Sequence, residues 1–431
     1  GGIICLVESR VKTARLSARR IGDRAWRMDH ADVLILGGGL VGATLALALD
    51  RHGLRTIVVD PADPTITLSV GFDGRASAIA SASHRMLEAI GVANGLAGHG
   101  CEIRHIRVSD GLAPGKLDFI PDPEDGPLGT MYENRRLRLA LGEALGESTV
   151  DLRMKTRATR VERGPRGVTA TLSSGETVTA SLLVAAEGRN SPTRAAAGIE
   201  VARWSYDHSA IISAFHHERS HGATAYEIFY PAGPFALLPL VDDEIGHRSA
   251  IVWTVKGADA PAMLKLGDRA FLAEAEKRMG GFLGPLSAAS ARSSYPLGFH
   301  HAATITAERL ALVGDAAHGI HPIAGQGLNL GFRDVAALVE VLVEGRRLGL
   351  EAGDAQLLDR YQRWRGLDTL MVAGATDTLT RLFGVPGRAA SAIRRFGISA
   401  VDRIGPLKER FMAEARGESG ALPKLLQGLT V

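Results

Sequence analysis

Gly37, Gly39 and Gly42 stand in a GxGxxG spacing, and the next apolar run, Thr56-Ile57-Val58-Val59, ends in Asp60. In a loop that receives phosphate each glycine has its own task. One permits a tight turn, one lets a pyrophosphate approach the backbone, and one lets the following helix lie close to the preceding strand. The unpaired N–H groups and positive end of that helix then face the phosphate. Asp60 falls where a carboxylate binds a ribose hydroxyl. The chemistry these residues suit is dinucleotide binding.

A second constellation lies far down the chain. Gly314-Asp315-Ala316-Ala317-His318 is followed by His321-Pro322-Ile323-Ala324-Gly325-Gln326-Gly327-Leu328-Asn329, and the segment runs on to Asp334. An acid at a strand end can hold a sugar-like hydroxyl. The Gly325-Gln326-Gly327 turn can bring a backbone and a helix N-terminus against a flat electron-accepting ring, and such a dipole favours negative charge on a reduced flavin. That points to FAD, because a nicotinamide cofactor would leave this segment unexplained. An ordinary glycine-rich strand-to-helix turn has the same residue types.

The elements that position these residues are legible in outline. The run Asp32 to Leu36, the glycine turn, an Ala/Leu-rich stretch to Leu49 and the run at Thr56 form a βαβ unit. Helical patterns follow from Arg75 to Ile90 and Leu137 to Leu145. Strand patterns follow at Val168 to Leu172 and Leu182 to Val184. Residues 204–255 change texture to short apolar runs divided by turn residues. A strand at Leu310 to Val313 leads through the second constellation into a helix from about Gly327 to Gly345, and the chain beyond Gln356 reads as helical. The expected fold is α/β: a Rossmann-like FAD-binding domain (28–200 and 296–355), an inserted sheet-rich substrate domain (201–295) and C-terminal helices (356–431). Residues 1–27, rich in arginine, read as upstream sequence or a disordered extension ahead of Met28, with a transit peptide as the other reading.

Composition narrows the function classes. The 431 residues carry 50 Lys and Arg against 47 Asp and Glu, a net charge of +3, without a basic stripe interleaved with aromatics, so nucleic acid is not an expected partner. Cys5 and Cys101 make neither a metal pattern nor a disulfide framework, which suits a reducing, cytoplasmic compartment. No apolar run reaches the roughly 20 residues of a membrane-spanning helix. His217-Glu218-Arg219-Ser220-His221 spells HExxH, but that motif holds zinc only on a helix, and here it lies between strand-like runs. No metal is expected.

Residues 321–334 resemble the signature of the ubiquinone-biosynthesis hydroxylase family, within the p-hydroxybenzoate-hydroxylase-like flavoproteins. The likeness runs from Met28 to about Gly417. It takes in Gly37 to Gly42, Asp73-Gly74-Arg75, Glu133-Asn134 opening a helix, Gly233 to Leu240, and the closing segment Leu382 to Ala415. The Asp73-Gly74-Arg75 form is most similar to alphaproteobacterial members. The resemblance implies that Gly37, Gly39, Gly42 and Asp60 hold the ADP half of FAD. Arg75 and Asn134 would contact the ribose-pyrophosphate side and Asp315 the ribityl chain, while Gly325, Gln326, Gly327 and Asn329 line the isoalloxazine. Pro322 would lie near the reactive flavin face, and no side chain is assigned as a catalytic acid, base or nucleophile. Phe235, Leu237, Leu238 and Pro239 would roof the substrate.

The implied activity is hydroxylation of the aromatic ring of a prenylated phenol with O2. Only one dinucleotide fold is visible, so NAD(P)H would dock transiently or a ferredoxin would supply electrons. The other implied associations are with further ubiquinone-biosynthesis proteins and, through the basic amphipathic texture of residues 381–412, peripherally with the inner membrane surface. The sequence departs from the family pattern at Glu187-Gly188, where the third motif ordinarily reads Asp-Gly. Two alternatives stay open: another aromatic substrate, or a flavin-binding scaffold of low activity. A flavin halogenase is disfavoured because Trp26, Trp204, Trp253 and Trp364 are isolated and form no WxWxIP segment.

Overall fold

Val33, Leu34 and Ile35 are all fully enclosed, without the alternation of a one-sided strand, as expected where a parallel sheet is covered on both faces. The computed structural model describes residues 29–69, 74–112, 116–319, 327–366 and 405–431. The strand His30–Leu36 pairs in parallel with Thr56–Asp60 on one side and Thr177–Ala185 on the other. Parallel pairing continues outward to Asp151–Met154 and to Leu310–Leu312, and Thr306–Ala307 adds an antiparallel edge. An antiparallel ribbon, Ala158–Gly164 with Gly167–Leu172, hangs from Thr177–Ala185. The helices Leu40–Arg51 and Gly327–Arg347 pack closely together, and a Cβ at Gly331 would lie 2.8 Å from Val41 Cγ2. Gly37 and Gly314 thus follow parallel strands at the same end of one sheet, the end where open α/β sheets bind ligands.

The second sheet is larger than the sequence suggests. Its order is His318–Gly319, Ser293–Ala302, Val201–His217, His247–Lys256, Gly233–Leu240, Thr224–Tyr230, His105–Asp110, Lys116–Phe119. The sheet-rich region expected at 201–295 therefore recruits strands from before residue 120 and from beyond residue 295. His105–Asp110 joins in parallel to Thr224–Tyr230, a pairing between segments so distant in sequence that no local pattern signals it.

Alternation along these strands creates two different faces. The outer face packs Phe215, Phe235, Leu237, Ile251 and Trp253 under the helix Asp268–Met279, with Phe271 fully enclosed at the contact. Burying one such side chain stabilises the fold by about 1.5–3 kcal/mol. The inner face meets a small sheet, Ala76–Ala80, Gly129–Glu133 and Gly100–Ile103, where Ala225, Leu238, Leu240 and Ala250 pack with Ala78, Ile103 and Met131.

At the C-terminal end, residues 355–366 and Gly405–Ala415 are helical. Arg333 donates from its guanidinium to the carbonyls of Gly417 and Ser419 at 3.0 and 2.8 Å, and Leu425 and Leu426 are fully enclosed against the main core. The 1–27 segment and most of the basic stretch 381–412 lie outside the described residues. Among the described residues no helix is long and apolar enough to cross a membrane.

Candidate active site

The fingerprint glycines divide their work by what surrounds them. Gly37 adopts φ +105°, and a Cβ there would sit 2.3 Å from the Ala186 carbonyl oxygen. A Cβ on Gly42 would sit 1.9 Å from the Gly37 carbonyl oxygen, so helix and strand touch through hydrogen alone. At Gly39 no atom lies within 4 Å of a built Cβ, and this is the space a phosphate needs. The helix Leu40–Arg51 starts at this glycine with no side-chain cap and no acidic residue in its first turn. Its N–H groups therefore remain available to an anion. Asp60 secures the turn as well as the cleft: Oδ2 accepts from Gly38 N at 2.5 Å and Oδ1 from Ala62 N at 2.7 Å. A cleft of about 830 Å³ opens here, lined by Gly37, Gly39, Asp60, Glu187 and Asn190 together with Arg157 and Arg160. These two arginines were not singled out in the sequence. The cradle fits the ADP half of FAD.

Glu187 uses its extra methylene to reach forward. Its Oε2 accepts from Ser191 Oγ at 2.6 Å and Thr193 N at 3.2 Å, fastening the loop to the short helix Pro192–Ala196. Arg194, buried behind it, donates to the Ala316 carbonyl at 2.8 Å and so ties this loop to the Gly314 segment.

Asn134 opens the helix Asn134–Glu147 as its first residue, with Glu133 in the capping position. It is buried, its Oδ1 accepts from Ser77 Oγ at 2.7 Å, and its N–H donates to the Arg75 carbonyl at 2.9 Å. Asn134 thereby fixes the backbone from which Arg75 projects. Arg75 and Arg189 both act electrostatically on Asp315, as does His318. Desolvation raises the Asp315 pKa above the ordinary carboxylate range despite the charges of Arg189 and Arg75. Three of the predicted residues, Arg75, Asn134 and Asp315, are thus brought to one region, with Arg189 as an addition.

His300 was also missed in the sequence. Its Nε2 lies 2.7 Å from the Asp315 carbonyl oxygen, and burial lowers its pKa to about 4. A neutral imidazole bonding a carbonyl must carry its proton on Nε2. Gly319 leaves room for the ring, since a Cβ there would lie 2.2 Å from His300 Cε1.

Asn329 has a different local role from ring lining. Its Oδ1 accepts from Ala80 N at 2.9 Å and its Nδ2 donates to the Ala78 carbonyl at 2.7 Å, so the amide grips the strand that follows Arg75. Only its backbone remains for a cofactor. Gly327 begins the helix Gly327–Arg347, and none of the described residues crowds its Cβ position. Pro322, Gly325 and Gln326 lie outside the described residues.

The expected substrate roof needs correction. Phe235 and Leu237 point into the outer core beneath the helix Asp268–Met279, and Pro239 shares their side of the strand. Of the four, Leu238 alone lies on the inner face. An apolar run covered on both sides hides its parity. The inner face carries Ala210, Ile212, Val252, Tyr295 and Leu297 as one cluster. Burial pushes the Tyr295 phenol up to about 12, against the pull of Arg75 and Arg189, so this face and the Arg75–Asp315 region share one site.

The HExxH string does not lie on a helix. His217 ends a strand, with Nδ1 2.7 Å from the Arg219 carbonyl and Nε2 2.9 Å from Ser249 Oγ. His221 bonds the Leu240 carbonyl at 3.0 Å and Ala223 N at 3.1 Å. All four ring nitrogens are engaged within the protein.

Comparison with known proteins agrees with this geometry. The family described as FAD binding domain matches residues 30–368. The chain is 46% identical over 403 residues to the ubiquinone hydroxylase UbiL of Rhodospirillum rubrum, covering 93% of each. It is 33% identical over 396 residues to the 3-demethoxyubiquinol 3-hydroxylase of Escherichia coli, covering 90% of this chain and 98% of that one. Its fold matches the solved p-nitrophenol 4-monooxygenase PnpA of Pseudomonas putida with a TM-score of 0.75, over 92% of this chain and 100% of that chain, at 18% identity. From the glycine cradle, the second flavin-side segment and these full-length likenesses, the chain belongs to the ubiquinone-biosynthesis hydroxylase family of FAD-dependent monooxygenases.

Proposed function

We propose that this protein inserts one oxygen atom from O2 into the aromatic ring of a prenylated phenol, as a step in making ubiquinone. The observation that carries the reading is the inner sheet face. It is apolar at Ala210, Ile212, Val252 and Leu297, and it adjoins Arg75, Arg189 and Asp315 through Tyr295. Bound FAD, once reduced by NAD(P)H or a ferredoxin, supplies the oxygen-activating chemistry. The chain's own residues bind, orient and exclude water. Gly39 would receive the pyrophosphate in the turn that Gly37 and Gly42 shape, Asp60 would take the ribose, and Arg75 and Arg189 would offset phosphate charge. Asp315 holds the ribityl chain, and the helix beginning at Gly327 turns its positive end to the ring. The apolar face keeps water from the reacting ring, where it would divert the oxidising species.

A prenyl tail keeps the substrate in the bilayer, so the protein works at the membrane surface, with the basic amphipathic composition of residues 381–412 as the docking element. The reading is tested by deleting the gene and identifying the quinone intermediate that accumulates by mass spectrometry. A prenylated precursor short of one ring hydroxyl, cleared when the gene is restored, supports it. An unchanged quinone pool contradicts it.

A further inference from the structure

Glu227 sits in the middle of the strand Thr224–Tyr230, between Ala236 on one neighbouring strand and Val108 on the other. Strand alternation puts it on the inner face, in line with Ala225 and opposite Ile228. The same row continues through Val252 and Ile212. A carboxyl group thus stands in a row of alanine, valine and isoleucine. It is 7% exposed, and its Oε1 is enclosed with no hydrogen-bond partner among the described residues. Burial pushes its pKa up to about 8, so the neutral acid prevails at pH 7.

Native proteins rarely leave such a group unmatched, and those that do call for a missing partner. A second observation points the same way. Thr254 shares the parity of Ala250 and Val252, so it lies on this face, and its Oγ1 is also enclosed and unpartnered among the described residues. Tyr295 lies on this face in the row that contains Thr254, and it connects that row to Arg75 and Arg189. Unsatisfied polar atoms therefore recur on a surface that adjoins the cofactor residues.

We propose that Glu227 is the substrate-binding residue that recognises the ring hydroxyl of the bound phenol. A carboxyl offers one acceptor and one donor side by side, and a phenolic hydroxyl complements both. The apolar row around it takes the ring and the first part of the tail, so one polar contact sets the ring's orientation. The inference rests on the substrate class proposed above.

The test uses FAD-loaded protein and two probes, 2-prenylphenol and prenylbenzene, which differ by the hydroxyl alone. Binding is read from the perturbation of the flavin absorbance spectrum. The parent protein is expected to bind the phenol about tenfold more tightly than the hydrocarbon. Glu227→Leu is expected to bring the two affinities within about twofold while FAD content and prenylbenzene affinity hold. Glu227→Gln keeps a donor and an acceptor, and is expected to restore most of the preference even where the leucine variant folds poorly. A preference that survives in Glu227→Leu, or that is absent from the parent, overturns the inference while leaving the substrate class intact. Failure of the parent to bind either probe overturns the substrate class and the inference with it.

Discussion

The N–H of Gly314 donates to Asp334 Oδ2 at 2.8 Å, joining the loop that carries Asp315 to the helix that carries Asn329. Asp334 is fully enclosed. Its Oδ1 accepts from Arg365 Nε at 2.7 Å, and His318 Nε2 lies 2.8 Å from Oδ2. One buried carboxylate thus sets where both halves of the flavin-side segment stand.

Asp334→Asn keeps an oxygen for Gly314 but removes the negative charge that pairs with the buried Arg365 guanidinium. Breaking such a pair costs about 3–5 kcal/mol. Urea denaturation is expected to show that loss, together with lower FAD content, and a change below about 1 kcal/mol would remove the anchor role. Burial opposes ionisation of Asp334, but His318 and Arg365 outweigh it and hold the carboxyl below the usual range. Its contribution is therefore complete above the ordinary carboxylate pKa and is lost only as pH falls through the lowered native value.

Gly42 and Gly39 separate fold from cofactor. Gly42→Ala drives a Cβ into the Gly37 carbonyl and is expected to destabilise the apoprotein by about 1–3 kcal/mol. Gly39 has φ −66° and ψ −172°, which alanine adopts freely, and nothing crowds it. Gly39→Ala should leave apoprotein stability within about 1 kcal/mol yet weaken FAD binding about tenfold or more. Denaturation and flavin fluorescence titration measure the two effects, and an unweakened FAD affinity in Gly39→Ala would mean that the phosphate lies elsewhere.

His300 predicts an acid limb. Its pKa falls from 6.5 unfolded to about 4 folded, so between those values the unfolded chain binds more protons. Stability is then full above pH 6.5 and declines as pH drops toward 4, by up to roughly 3 kcal/mol. His300→Gln retains a donor for the Asp315 carbonyl without titrating. Denaturation midpoints at pH 7 and 5 should converge in that variant relative to the parent, and equal pH slopes in the two proteins would sink the assignment.

Leu237→Ala tests the corrected parity of the roof. It opens a cavity in the outer core and is expected to cost about 2–5 kcal/mol. The apparent KM for a prenylated phenol should not change, because the side chain faces away from the site. A large rise in KM with little loss of stability would return Leu237 to the pocket.

What the sequence disclosed follows from how local each constraint is. Gly37 and Gly42 are legible because the turn and the helix contact admit no Cβ, whatever the rest of the chain does. Asp60 is legible because it ends a strand, and Asp315 because it follows a strand directly after a glycine. Phe235 and Leu237 misled because a run buried on both faces gives no sign of which residues look inward. Glu227, Tyr295 and His300 carry no local mark. Their meaning comes from strands paired across long stretches of chain, as His105–Asp110 pairs with Thr224–Tyr230.

Oxygen-isotope labelling tests the central claim most directly. FAD-loaded protein, a reductant and a short-chain prenylated phenol are incubated under 18O2, and the product is analysed by mass spectrometry. The account predicts a ring-hydroxylated product carrying one labelled oxygen, formed only with reductant present. Reductant oxidation without any hydroxylated product, or a product whose new oxygen comes from water, would contradict it.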